Sequence, residues 1–259
     1  MKRILLVGNS HVGAFKSGLA RLQEQSPLGD VEFDFLACRQ TLDPKGGFNL
    51  IRLEENSTIT APATVIATAL KTSTIKMPVN IDTYDLVLVV AGPCLLHPFL
   101  YYCEKPSIIP SISRSLIRSI LLASKDIRVP IPGINSPVLV KALRELSSNR
   151  IVYVGAPLPS IDSSPLKHFA RLNEASMRQM KKNALLISSV LRSDFFAGVN
   201  IFVPDDELLN EFHFATNSRF MREGVRVDGV STNPDMRHAN EEYGCVVLSK
   251  ILRSFGFMV

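Results

Sequence analysis

Apolar residues fall along this chain in short continuous runs, separated by stretches of helical periodicity. ILLV (4–7) is the first run. It does not alternate, as expected of a parallel strand buried on both faces. Over 13–25, Ala14, Gly18, Leu19 and Leu22 recur at helical spacing, and VEFDFLA (31–37) alternates as a second strand. CRQTLDPKGGFN follows with Pro44 and Gly46-Gly47 as breakers, and reads as a loop. From Leu50 to Asn80 the pattern changes. LIRLEENSTITA predicts a hairpin turning at Glu55-Asn56, and TSTIKMPVNI is rich in β-branched residues, so this stretch reads as a small β excursion outside the main sheet.

DLVLVVAG (85–92) is the clearest central strand, ended by Gly92-Pro93. A helix is predicted over Ser111–Lys125, and another after Ser136-Pro137, where Ser caps and Pro takes the first helical position. IVYVGAP (151–157) is a fourth strand, a helical pattern runs from about Leu166 to Phe195, and VNIFVP (199–204) is a fifth strand. A polar, irregular segment then leads to a last helix near Asn240–Ser254. Strands alternating with helices over the whole length predict an α/β fold. Its form would be a single doubly wound, flavodoxin-like sheet of about five parallel strands flanked by helices, with the β excursion near 50–80. No repeat or linker divides residues 1–259, so one domain is expected. Ligands of such sheets sit beyond the carboxyl ends of the strands.

Composition narrows the classes of function. A hydrophobic share of 46% with 20% charged residues is that of a globular protein. The longest apolar stretch, LVLVVAGPCLL, is far short of the roughly 18 residues a membrane span needs, so no membrane partner is expected. MKRILLV starts like a signal peptide, but its apolar run stops at Gly8-Asn9-Ser10-His11, short of the roughly 7–15 residues required. The expected location is the cytoplasm. Cys38, Cys94, Cys103 and Cys245 form no CxxC and no metal-ligand spacing, which suits free thiols in a reducing compartment and predicts no metal site. The net charge of +5 comes from scattered basic residues without interleaved aromatics, so no nucleic-acid partner is expected.

Two stretches carry candidate chemistry. Ser10 follows the first strand at the entry to a helix, whose free amides favour negative charge. A helix cap is the ordinary role of such a serine. In STNPDMRHANEEYG (231–244), Asp235 and His238 stand three apart, in what reads as a loop before the final helix. That spacing lets a carboxylate hold an imidazole's tautomer and stabilise its protonated form. A surface Asp and His beside a helix start is the plainer account.

Together, VGNSHVGA and PDMRHANEEYG resemble the first and last blocks of the SGNH, or GDSL-type, serine hydrolases, with Asn9 in place of the usual Asp and with Asn240 and Gly244 matching the last block. The resemblance implies the doubly wound topology and a triad of Ser10, His238 and Asp235. It also implies an oxyanion hole built from the Ser10 amide and a glycine after the second strand, Gly46 or Gly47, with Gly47 slightly preferred. The family's third block, Gly-x-Asn, is Gly92-Pro93-Cys94 here, which leaves Cys94, a weak donor, where the Asn amide belongs. His97, in LLHPF, is a candidate substitute or substrate contact, against a plain structural role. His11 is the other substrate-contact candidate. His213 and Arg219 suit an acidic or sugar substrate or a solvated loop, and His168 on a long helix reads as structural.

The expected function is hydrolysis of small acyl esters, acetyl esters of carbohydrate included, through an acyl-serine and without metal or cofactor. Acyl transfer to a sugar hydroxyl by the same triad is the alternative. A non-catalytic binding protein that keeps the fold is the third reading, supported by the missing third-block Asn.

Overall fold

The computed structural model describes residues 1–8, 11–37, 41–42, 48–49, 52–53, 58–60, 72–90, 111–119, 151–155, 157–158, 160, 172–195, 200–211, 213, 215–222, 226–227, 230–231 and 235–258. Five strands pair in parallel: β1 (Lys2–Gly8), β2 (Val31–Ala37), β3 (Leu86–Val90), β4 (Ile151–Val154) and β5 (Asn200–Phe202). Their order across the sheet is 2-1-3-4-5. This is the flavodoxin-like order, with its switch point between β1 and β3. The sheet is flanked by helices, among them α1 (Val12–Gln25), α2 (Glu174–Val190) and α3 (Glu241–Ser254). The chain therefore adopts the expected α/β fold.

The continuous apolar runs work because a strand sends alternate residues to opposite faces. Ile4, Leu6, Phe35, Ala37, Leu88, Val90 and Val152 join one core with Phe15, Leu19 and Leu22 of α1 and Val247, Leu248 and Ile251 of α3. Leu5, Val7, Leu36, Val87, Val89 and Tyr153 join a second core on the other face, with Val79, Ile81 and Tyr84. Each fully buried aliphatic contributes about 1.5–3 kcal/mol. A polar residue breaks in at Asp34 of β2, and it is answered: Arg3 donates to its carboxylate at 2.9 Å and the Tyr84 hydroxyl at 2.8 Å. Burial and the Asp34 carboxylate push the Tyr84 phenol up to about 12.

Helices α1 and α3 lie in backbone contact. A Cβ on Gly18 would fall among the backbone atoms of Glu241, Gly244 and Cys245, and one on Gly244 would fall on the backbone of Ala14 and Phe15. Larger residues at either position would hold the helices apart. The helical pattern predicted over 166–195 appears as α2 followed by a π-helical turn at Leu191–Phe195. The helix predicted over Ser111–Lys125 is described at 114–119, and the one after Pro137 lies outside the described residues. Arg114 and Arg118 tie that first segment to Asp194 in the π-helical turn after α2.

The β excursion is present as a three-stranded antiparallel sheet of Arg52–Leu53, Thr58–Thr60 and Val79–Asn80. Two expectations need correction. The predicted loop after β2 contains a short antiparallel pair, Thr41–Leu42 with Phe48–Asn49. The segment predicted to be irregular before the last helix contains paired strands. Strand β6 (Met221–Arg222) pairs with β7 (Asp235–Ala239), and Arg226–Val227 pairs with Val230–Ser231 inside them. The two pairs are nested in sequence in the manner of a hairpin, and Asp228-Gly229, a dipeptide favoured in two-residue turns, separates the innermost strands in sequence. Asp235 and His238 therefore lie on a strand, not in a loop, because tertiary pairing with β6 recruits a segment that has no strand-like composition of its own.

Candidate active site

The site is built where the carboxyl end of β1 meets the start of α3. Gly8, the last residue of β1, pairs with Val90, the last of β3. A Cβ on Gly8 would overlap the Val90 carbonyl. Only glycine lets the two strand ends close up at the switch point, and the chain leaves that point directly into α1. His11 is the capping residue of α1, already helical at φ −66 and ψ −22, and its side chain makes no capping bond. Its carbonyl accepts from the Ala14 amide at 3.1 Å. The imidazole is left to face elsewhere.

It faces His238. The two rings stand 4.9 Å apart, centroid to centroid, with their planes 34° from parallel. Both residues are half-buried. Thus the residue bonded to Ser10 touches the histidine that the sequence places at the far end of the chain.

His238 owes its position to an irregular strand. Met221 pairs with Ala239 and Arg222 with Asp235, so the three residues Met236, Arg237 and His238 stand opposite no residue of β6. Such bulges bend a strand and re-aim its side chains, and they concentrate beside active sites. In a regular strand, residues three apart would face opposite sides. The bulge removes that constraint on Asp235 and His238, and Asp235 itself is described by its backbone alone.

Asn240 fixes the next step of the chain. Its side-chain oxygen accepts from the Tyr243 amide at 3.0 Å and caps α3. Its amide nitrogen donates to the carbonyls of Arg219 at 2.6 Å and Met221 at 3.3 Å. Its backbone N–H donates to the Phe220 carbonyl at 2.8 Å. The base of the hairpin is thereby locked to the start of α3. A row of edge-to-face rings continues the lock: Phe220 to Tyr243 at 6.1 Å, and Tyr243 to Phe15 of α1 at 6.3 Å. With Gly18 and Gly244 in contact one turn further on, the start of α1, which carries His11, and the junction of β7 with α3, beside His238, are held as a unit.

The other sequence candidates fall into two groups. Ser10, Gly46, Gly47, Cys94, His97 and His168 lie outside the described residues. His213 and Arg219 are described, and each has a structural task. His213 is buried, with φ +62, and its Nε2 is 3.1 Å from Asp206. It is not part of a solvated loop, because the Leu209–Thr216 bridge and the hydrogen bond from its own N–H to the Asn210 carbonyl fold it inward. Burial, with Lys181 nearby, lowers its pKa against the opposing pull of Asp206. Arg219 is exposed, lies over the Phe220 ring at 4.4 Å, and pairs with Glu207 at 3.5 Å. Glu207 and Asp205 also hold Lys250 of α3, at 2.9 and 2.7 Å, which raises the ammonium pKa.

Among the described residues no group of three or more His, Cys, Asp or Glu is placed to hold a metal ion. Nor is any described helix long and apolar enough to cross a membrane. The hairpin, the bulge at His238 and the glycine contact at Gly18 were not foreseen from the sequence. Val227-Asp228-Gly229-Val230 was the available signal for the first.

No protein-family model matches the chain, and no curated protein matches it. Among solved structures, a DUF4886 family protein from Bacteroides uniformis aligns with 100% of this chain and 83% of its own, at 10% sequence identity and a TM-score of 0.41.

Proposed function

We propose that this chain is a serine esterase or deacylase of the SGNH type, acting on small acyl esters, with acetyl esters of carbohydrate the favoured class. The observation that carries the proposal is the contact between His11, the covalent neighbour of Ser10, and His238. It brings the two sequence blocks that resemble the family to one place, at the carboxyl end of β1, where α/β sheets bind ligands.

In this proposal Ser10 attacks the ester carbonyl while His238 takes its proton. The tetrahedral oxyanion is held by the Ser10 amide and by Gly46 or Gly47. The alcohol leaves with the proton from His238, and water then attacks the acyl-serine with His238 again as base. Asp235 orients His238 and stabilises its protonated form. The triad needs neither metal nor cofactor for these steps. Cys94 or His97 stands in for the third-block Asn. Since removing one oxyanion donor costs on the order of 10²–10³ in rate, this enzyme is expected to be slow. Acyl transfer to a sugar hydroxyl would use the same residues, with the acceptor in place of water. Cys245, a buried free thiol, suits the reducing cytoplasm as the site of action.

The test is labelling with a fluorophosphonate, with the adduct located by peptide mass spectrometry. An adduct on Ser10 that disappears in Ser10→Ala and His238→Ala establishes the activated serine. A folded protein that is not labelled at Ser10 refutes the proposal and leaves a binding protein on a hydrolase-like fold.

A further inference from the structure

We propose that His11 is a positioning residue that sets the ring orientation of His238; the inference rests on the serine-hydrolase reading above. The need arises from the backbone at His238. It lies among the three residues of β7 that have no pairing partner across the ladder, so strand register does not dictate where its side chain points. The last torsion of a histidine is broad and roughly two-fold, so the groups around the ring, Asp235 in the proposed triad and the ring packed against it, must choose its plane. A general base works only when its nitrogen is aimed at the proton it takes.

His11 is suited to supply that constraint. Its backbone is fixed as the first helical step of α1, and its imidazole does no capping. Helix α1 is itself pinned to α3 through Gly18 and Gly244 and through the Phe15–Tyr243 ring contact. A ring on so rigid a base limits the neighbouring ring it touches. The tilted contact at 4.9 Å and 34° lies within the range of ordinary ring-on-ring packing, which another flat ring at this position would also supply.

His11→Ala and His11→Phe separate this role from substrate contact. The readouts are the rate of fluorophosphonate labelling at Ser10, kcat and KM for p-nitrophenyl acetate, and the carbon-bound ring proton resonances of His238. The expected result for His11→Ala is a loss of ten- to a hundredfold, on the order of the cost of a small misplacement, in kcat and labelling rate at unchanged KM. The His238 resonances shift with it. His11→Phe should restore both rates and move the resonances back toward wild type. The proposal is overturned if His11→Phe is as slow as His11→Ala, or if KM rises while kcat is kept, which would make His11 a substrate contact. A wild-type protein that is never labelled at Ser10 refutes the hydrolase reading instead. Unmoved His238 resonances in His11→Ala refute the positioning contact whatever the activity.

Discussion

Replacing Gly244 by Ala tests whether two helices in backbone contact hold the site together. A Cβ there would stand 2.6 Å from the Ala14 carbonyl carbon and 3.0 Å from the Phe15 Cα, and closer still to the Ala14 oxygen. Carbon atoms settle at about 3.5–4.0 Å, so α1 and α3 must part by about 1 Å. The obstructing atoms are backbone, which no rotamer change can clear. Overpacking of this kind costs about 1–3 kcal/mol. Alanine returns about 1 kcal/mol through its higher helix propensity. The steric term wins because it falls at the upper end of its range, for a net loss of about 1–2 kcal/mol and a fall in Tm of about 2–8 °C. The larger effect should be on the site. His11 precedes Ala14 by one turn, and His238 is joined to Gly244 through the Asn240 cap, so a parting of the helices moves one ring away from the other. A displacement of about 1 Å costs on the order of a hundredfold in rate. Thermal denaturation and the fluorophosphonate labelling rate, measured beside an exposed control on the same helix (Arg253→Ala), check both numbers. Gly244→Ala with wild-type Tm and wild-type labelling would refute the close contact and the coupling built on it.

Two further substitutions probe the supports around the site. Asn240→Ala removes the cap of α3 and leaves the carbonyls of Arg219 and Met221 without their donor, for an expected loss of about 1–2 kcal/mol in urea denaturation. Asn240→Asp, which keeps the capping oxygen but not the amide donor, should fall between; equal stability of all three would show that the lock is not needed. His213→Asn tests the buried imidazole. Burial and the Lys181 charge lower its pKa in the folded state, with Asp206 opposing, so below about pH 6.5 the unfolded chain takes the proton more readily. The stability it contributes is full above that pH and is lost as pH falls through the lowered value. Asparagine tolerates the left-handed backbone at this position and does not titrate, so stability between pH 5 and 7 should flatten in the variant. An unchanged slope would assign the acid sensitivity elsewhere.

The parts of the fold that were legible are those in which local pattern and tertiary fate agree. ILLV, LVLVV and IVYV could be read as strands because a parallel sheet covered on both faces asks for continuous apolar runs, and VEFDFLA because it alternates. The last helix could be read to its capping residue because Asn240 does in the structure what its residue type favours. Strand β7 was illegible for the opposite reason. PDMRHA has a proline, an acid, an arginine and a histidine, and only pairing with Met221–Arg222 makes it a strand. Read as a loop, Asp-x-x-His looks like one short turn; on a strand, the same spacing needs the bulge. Gly18 looked like one member of a helical stripe, and its role became visible only once α3 was seen to cross it.

The site couples the first and last secondary elements, and the sheet order explains how the intervening chain can be so long without loosening them. β1 is an interior strand of the sheet, between β2 and β3, and α1 starts at Val12, shortly after β1 ends at Gly8. α3 returns to pack on α1 itself, with one helix's glycine set against the other's backbone. The positions of His11 and His238 thus depend on two helices, one bulge and one cap. The contact between the two rings follows from where glycine permits two helices to meet.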